Sequence, residues 1–168
     1  MDYGRWLESF MAMDEATWAR HASPWSVWTR VPILPLLALA VWSRLWLGWW
    51  CLVPIGALAL WTYLNPRAFS PPATTDTWAS KATFGERVWL NRGRVPIPPH
   101  HARFAHLLSV LSGFGLVPTV YGLITYEPFA VVLGVVWVVV AKMWFLDRMV
   151  WLYDDMRQEH TEYAAWLR

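Results

Sequence analysis

Charge is scarce in this chain. Acidic and basic residues together occupy 15% of its 168 positions, against about a quarter in an average soluble domain. A disordered chain combines low hydrophobicity with high charge, and the scarcity of charge excludes that class. Cysteine is nearly absent. Cys51 stands alone, which excludes a disulfide-stapled scaffold. There is no HExxH, HxxxH or CxxC spacing, so the usual zinc signatures are missing. Phosphate-binding and dinucleotide-binding glycine loops are missing too, as is a serine or cysteine nucleophile motif. The net charge is +2, too weak a field to mark a nucleic-acid partner.

Apolar residues fill the space. They make up 57% of the chain, with 15 Trp and 12 Pro, and the mean hydropathy is +0.28. This composition predicts an all-α integral membrane protein. Three apolar stretches carry the prediction. The first runs from Val31 to Leu64. As one helix it would extend about 51 Å, well past a hydrocarbon core of about 30 Å. Two spans, 29–46 and 48–64, fit better, with Ser43, Arg44 and Gly48 marking the turn and Trp42, Trp46, Trp49 and Trp50 around it. Tryptophan favours the membrane–water boundary. The competing reading of 31–64 is a re-entrant hairpin that never fully crosses. The second stretch runs from Phe104 to Tyr126, and the third from Phe129 to about Tyr153. The run FAVVLGVVWVVV would suit a buried strand in water, but a lone strand in lipid leaves its backbone groups unpaired, so a helix is expected.

The expected architecture is four transmembrane helices arranged as two hairpins in a single membrane domain. Residues 1–28 form an amphipathic or interfacial segment, 29–64 the first hairpin and 65–103 a loop with an interfacial helix. Residues 104–153 form the second hairpin and 154–168 a tail. Residues 2–20 approximate an amphipathic helix. Ser23-Pro24 is a helix-start signal, and Asn65-Pro66 predicts the end of the second span. A short helix is expected from Asp76 or Thr77 to about Asn91, with Trp78, Ala82, Gly85 and Trp89 along one edge. Gly85 inside it suggests close approach of another backbone. Ser109 and Gly113, with Ser112 and Gly115 beside them, are a small-residue pattern for helix contact.

Basic residues are uneven. The 65–103 loop carries six (67, 81, 87, 92, 94, 103) against Asp76 and Glu86, an excess of four, whereas the two short turns carry only Arg44. The positive-inside rule then places both termini and the loop in the cytoplasm, in the plasma membrane. Asp2 and Glu8 occupy the region where a cleavable signal would be basic, so no such signal is expected.

Four runs are distinctive: HASPWSVWTR (21–30), NPRAF (65–69), WASKATFGERVWLNR (78–92) and KMWFLDRMVWLYDD (142–155). Through them the chain resembles an uncharacterised family of small prokaryotic four-span membrane proteins, a domain of unknown function. The resemblance covers most of the chain. It implies a helical membrane fold and brings no substrate and no assigned site residues.

Four constellations are candidates for chemistry. Near the end of the last span, Lys142 either snorkels or pairs with Asp147 or a carboxylate elsewhere. Asp147, Asp154 and Asp155 are candidate catalytic or divalent-cation residues, against the plainer reading of a solvated acidic helix end. Lys81, Arg87 and Arg92 are candidate anion ligands, with Arg suited to bidentate phosphate contact. The plainer reading is attraction of the basic loop to anionic lipid. His100, His101 and His106 gather at the start of the third span, with His21 and His160 on the same side, without metal-ligand spacing. Trp137, Trp144 and Trp151 recur every seventh residue, either for packing or as a platform for a flat or long apolar ligand. Two functions follow. One is a non-catalytic module that binds an apolar ligand, a partner subunit or a second copy through Trp-rich surfaces. The other is a small membrane-embedded enzyme acting at the inner face on an anionic lipid-like substrate, with or without a metal. An oligomeric channel or carrier ranks below both, because only Lys142 and some hydroxyls line the spans.

Overall fold

The computed structural model describes residues 13–168, and all regular structure among them is helical. The amphipathic helix expected over 2–20 lies partly outside the described residues. Its last part is α1 (Glu15–His21), capped by the Asp14 carboxylate, which accepts from the Thr17 N–H at 2.8 Å. Helix α2 (Pro24–Trp28) starts where Ser23-Pro24 predicts, with proline at its first turn. Proline fits there because those N–H groups have no partner within the helix.

Next come α3 (Ile33–Trp42), α4 (Arg44–Leu47), a 3-10 turn (Gly48–Cys51) and α5 (Leu52–Ala68). The chain reverses at the expected place. Gly48 adopts φ 54° and ψ −132°, a conformation that a side chain would oppose, and α5 then packs back along α3. Pro66 does not end the helix: α5 continues through it to Ala68. Pro66 and Asn65 are buried against α1 and α2, and this packing outweighs the local penalty of an interior proline.

Helix α6 (Trp78–Leu90) is capped by the Thr77 hydroxyl, which accepts from the Ser80 N–H at 3.1 Å. Two long helices follow, α7 (Pro99–Thr125) and α8 (Pro128–Glu159), then the short α9 (Thr161–Ala164). The α7–α8 turn is tight, with Tyr126 left-handed at φ 63°. Three helical stretches are long and apolar enough to cross a membrane: Pro24–Ala68, Pro99–Thr125 and Pro128–Glu159.

Of the glycines in the expected small-residue pattern, Gly115 makes the α7–α8 contact and Gly113 does not. Gly113 meets no neighbour. A Cβ on Gly115 would strike Val138 and Gly134, and one on Gly122 would strike the Glu127 carbonyl and Val131. The periodicity marks small residues, but only the partner helix selects the face. The main hydrophobic core lies where α6 packs on the second half of α8. Val88, Leu108, Met149, Leu152 and Tyr153 are buried there. At Gly85 a Cβ would collide with the backbone of Met149, the close approach that a glycine inside this helix suggests. The chain end is tied in by the Arg168 carbonyl, which accepts from the Thr75 N–H at 2.7 Å.

Candidate functional site

The densest polar cluster lies where α1, α2, α5, α6 and α8 meet. Arg30 donates from a guanidinium N–H to His21 Nε2 at 2.8 Å. A guanidinium has no acceptor, so Nε2 must be the bare nitrogen and the proton sits on Nδ1. That proton is donated to Ser26 Oγ at 2.7 Å. Ser26 donates in turn to Asn65 Oδ1 at 2.7 Å, Asn65 Nδ2 donates to Thr29 Oγ1 at 2.9 Å, and Thr29 donates to the Trp25 carbonyl at 2.6 Å. Every donor direction in this chain of five bonds is set by its first member. His21, Ser26 and Asn65 are all buried. Burial first, and then the charge of Arg30, push the His21 pKa down to about 4. The imidazole is therefore neutral at pH 7, as the bond geometry requires.

Beside this relay, Lys142 Nζ donates to Glu86 Oε1 at 2.6 Å. Burial opposes the Glu86 charge. Lys142, and then Arg30, outweigh it and hold the carboxyl below the usual carboxylate value. Two cavities open here, of about 260 Å³ and 400 Å³, and both are lined by His21, Arg30, Thr62, Glu86 and Lys142. The first continues between apolar residues of α3 and α8, among them Leu34, Val138 and Val139. The second reaches Trp89, Ser109 and Phe145. Among the described residues the buried Trp89 Nε1 has no hydrogen-bond partner, a costly state for a donor.

Residues 5–166 match a family of unknown function, DUF6653. The chain belongs to that family. The resemblance read from the four distinctive runs therefore holds at the level of an uncharacterised family. No curated protein and no solved structure matches the chain.

In this DUF6653 member the residues singled out from sequence are dispersed. Lys142 pairs with Glu86, while Asp147 accepts from Trp78 Nε1 at 3.2 Å and lies 4.0 Å from Arg148. Asp154 accepts from Arg157 at 2.8 Å and lies 3.9 Å from Lys81, whose ammonium is 2.7 Å from Asp76. Asp155 meets His101 Nε2 at 2.8 Å. Arg87 pairs with Glu15 and lies over the rings of Trp166 and Trp18. Arg92 lies over Trp89, 4.1 Å from the ring centre. The three carboxylates thus face three different partners, and Arg87 and Arg92 serve different aromatic contacts. Trp137, Trp144 and Trp151 are exposed along α8 and line neither of these cavities.

His100, His101 and Asp155 present ligand atoms within 4.8 Å of one another, a spacing a metal ion can bridge. His101 is buried while the other two are exposed. The His101–Asp155 bond by itself ties the start of α7 to the end of α8. The positive end of the α7 dipole opposes a cation at this place.

Sequence reasoning missed the relay. The sequence presents Asn65 only as a helix end and Glu86 only as one of the loop's two acids. One signal was present: Asn65 is a lone amide near the end of an apolar stretch, and a polar group buried there needs partners.

Proposed function

We propose that this protein is a plasma-membrane protein whose chain crosses the bilayer four times as two hairpins, with both termini cytoplasmic. We propose further that it is a non-catalytic module that binds an amphiphile at the cytoplasmic edge of its spans. The crossing pattern draws support from the far turns. Arg44, at the reversal of the first stretch, donates to the Leu123 carbonyl and lies over the Tyr126 ring, and Trp42 meets Tyr126 edge-on. The two turns therefore sit together at one end, while the basic loop lies at the other. A re-entrant segment that stopped half-way would not reach the α7–α8 turn.

The observation that carries the binding reading is the shared lining of the two cavities. Charged and hydrogen-bonding groups occupy one end, and an apolar path leads away from it. Ligand sites combine a mostly apolar wall with a few placed polar groups in this way. The dispersal of Asp147, Asp154 and Asp155 favours binding over metal-dependent turnover.

Native mass spectrometry of the protein released in mild detergent tests the reading. The expected result is a bound mass in the lipid range that is lost in the Arg30→Gln, Lys142→Gln double variant. A bound mass unchanged in that variant would place the ligand elsewhere and overturn the assignment. For the crossing pattern, Trp49→Cys in a Cys51→Ala background is expected to react with an impermeant maleimide from outside the cell. Labelling only after the inner face is opened would refute it.

A further inference from the structure

Building on that binding site, we infer that its ligand is a single-chain amphiphile with one negative charge, whose tail lies in the groove between α3 and α8. The head-group end is read from charge and hydrogen bonding. Arg30 and Lys142 face Glu86, and His21 is neutral there, so the site carries one positive charge in excess. Glu86 Oε1 accepts from Lys142 and His21 Nε2 accepts from Arg30. Lys142 and Arg30 each have further N–H groups to donate beyond these bonds. A compact head with one charge and only acceptor atoms, such as a carboxylate, complements them.

The tail end is read from the groove. Further along the α3–α8 interface, past Val138 and Val139, lies another cavity of about 350 Å³. Its walls are Ala38, Leu39 and Trp42 on one side and Val131, Val132 and Val135 on the other. No charged residue lines it. From the level of Lys142 to that of Pro128 the α8 axis advances ~21 Å at ~1.5 Å per residue. An extended chain advances ~1.2 Å per bond, the geometry that sets the reach of a polypeptide, so the groove accepts about seventeen bonds. That is longer than one leaflet of hydrocarbon, about half of a ~30 Å core. The second cavity is lined by Trp18, Pro66 and Leu90 together with Ser109 and Phe145, and the tail is assigned to the apolar α3–α8 path.

Titration of the delipidated, detergent-released full-length chain with laurate, palmitate and stearate tests the inference, with native mass spectrometry as the readout. Stearate and palmitate are expected to bind at least tenfold more tightly than laurate. A cationic single-chain amphiphile, hexadecyltrimethylammonium, is expected not to bind. Val132 is 60% exposed and lies ~15 Å along α8 from Lys142, so Val132→Trp obstructs the far groove without filling the core. It is expected to weaken stearate tenfold or more and to leave laurate within twofold. Binding that depends on Arg30 and Lys142 but ignores chain length and Val132→Trp would overturn the tail assignment and leave the site reading standing. Preference for a two-chain phosphatidylglycerol over stearate would overturn the single-chain assignment. If no anionic amphiphile binds, both readings fall together.

Discussion

The two halves of α8 solve the same packing problem in opposite ways. Over residues 128–141 the side chains turned inward are small or slender, namely Val131, Gly134 and Ala141, while Phe129, Val132, Val136 and Val140 face outward. Over residues 142–159 the large apolar side chains turn inward: Phe145, Leu146, Met149, Leu152, Tyr153 and Met156. In lipid an outward valine loses nothing, and helices associate through close backbone approach at small residues. In the second half, burial of large apolar area against α6 supplies the drive. The change falls at Lys142, the residue that lines both polar cavities. The site thus lies where one helix passes from one packing rule to the other.

Substitutions in the two halves can break that comparison. The largest effects belong to the core between α6 and the second half of α8. Met149→Ala is expected to cost about 3 kcal/mol, since a fully buried side chain is removed from a dense contact. Gly85→Val is expected to cost at least as much, because the Met149 backbone cannot yield to a new side chain. Thermal melts in detergent would show both. Melting temperatures near the parent value would mean that this core does not hold the fold together.

Acidification reaches a similar size by a different route. The His21 pKa is lowered from 6.5 to about 4. The unfolded chain therefore takes up a proton before the folded one does. Stability conferred by the neutral imidazole is complete above pH 6.5 and is lost as pH falls toward 4, by about 3 kcal/mol in all. His21→Gln is expected to flatten this part of the pH–stability curve. A curve with the same slope in that variant would assign the effect to other groups.

Smaller effects separate the two halves more finely. Asn65→Ala strands the Ser26 and Thr29 groups, at a cost of about 2 kcal/mol. In the first half of α8, Gly134→Ala is expected to lower stability by about 1–2 kcal/mol, since its Cβ would strike the Thr119 backbone. Gly113→Ala, with open space around it, is expected to be neutral or slightly stabilising. Last, Val140→Ala on the outward face is expected to change stability by less than about 0.5 kcal/mol. Equal effects at Gly113 and Gly134, or a large one at Val140, would show that the close-contact rule does not govern this half.

Much of the helix layout was legible in the residues. Ser23-Pro24, Thr77 and Gly48 each act over a few neighbours, and each marks a real boundary or turn. Pro66 misled because its local penalty is offset by burial against α1 and α2. Ser109 and Gly113 misled because a small residue marks a contact only on the face that meets a partner. The candidate site was the least legible part. Its pairs bridge large separations, 39 residues from Ser26 to Asn65 and 56 from Glu86 to Lys142. Nothing in the local pattern of either partner names the other.

The sequence by itself determined that the chain is helical, apolar over long stretches and basic at one end. These properties follow from composition, length and short-range stereochemistry. Only the tertiary structure decided which glycines meet a neighbouring helix, which carboxylate holds Lys142 and which nitrogen of His21 carries the proton. Those outcomes depend on what lies across a helix interface, and a hydrogen bond or close backbone contact exists only once both partners are in place.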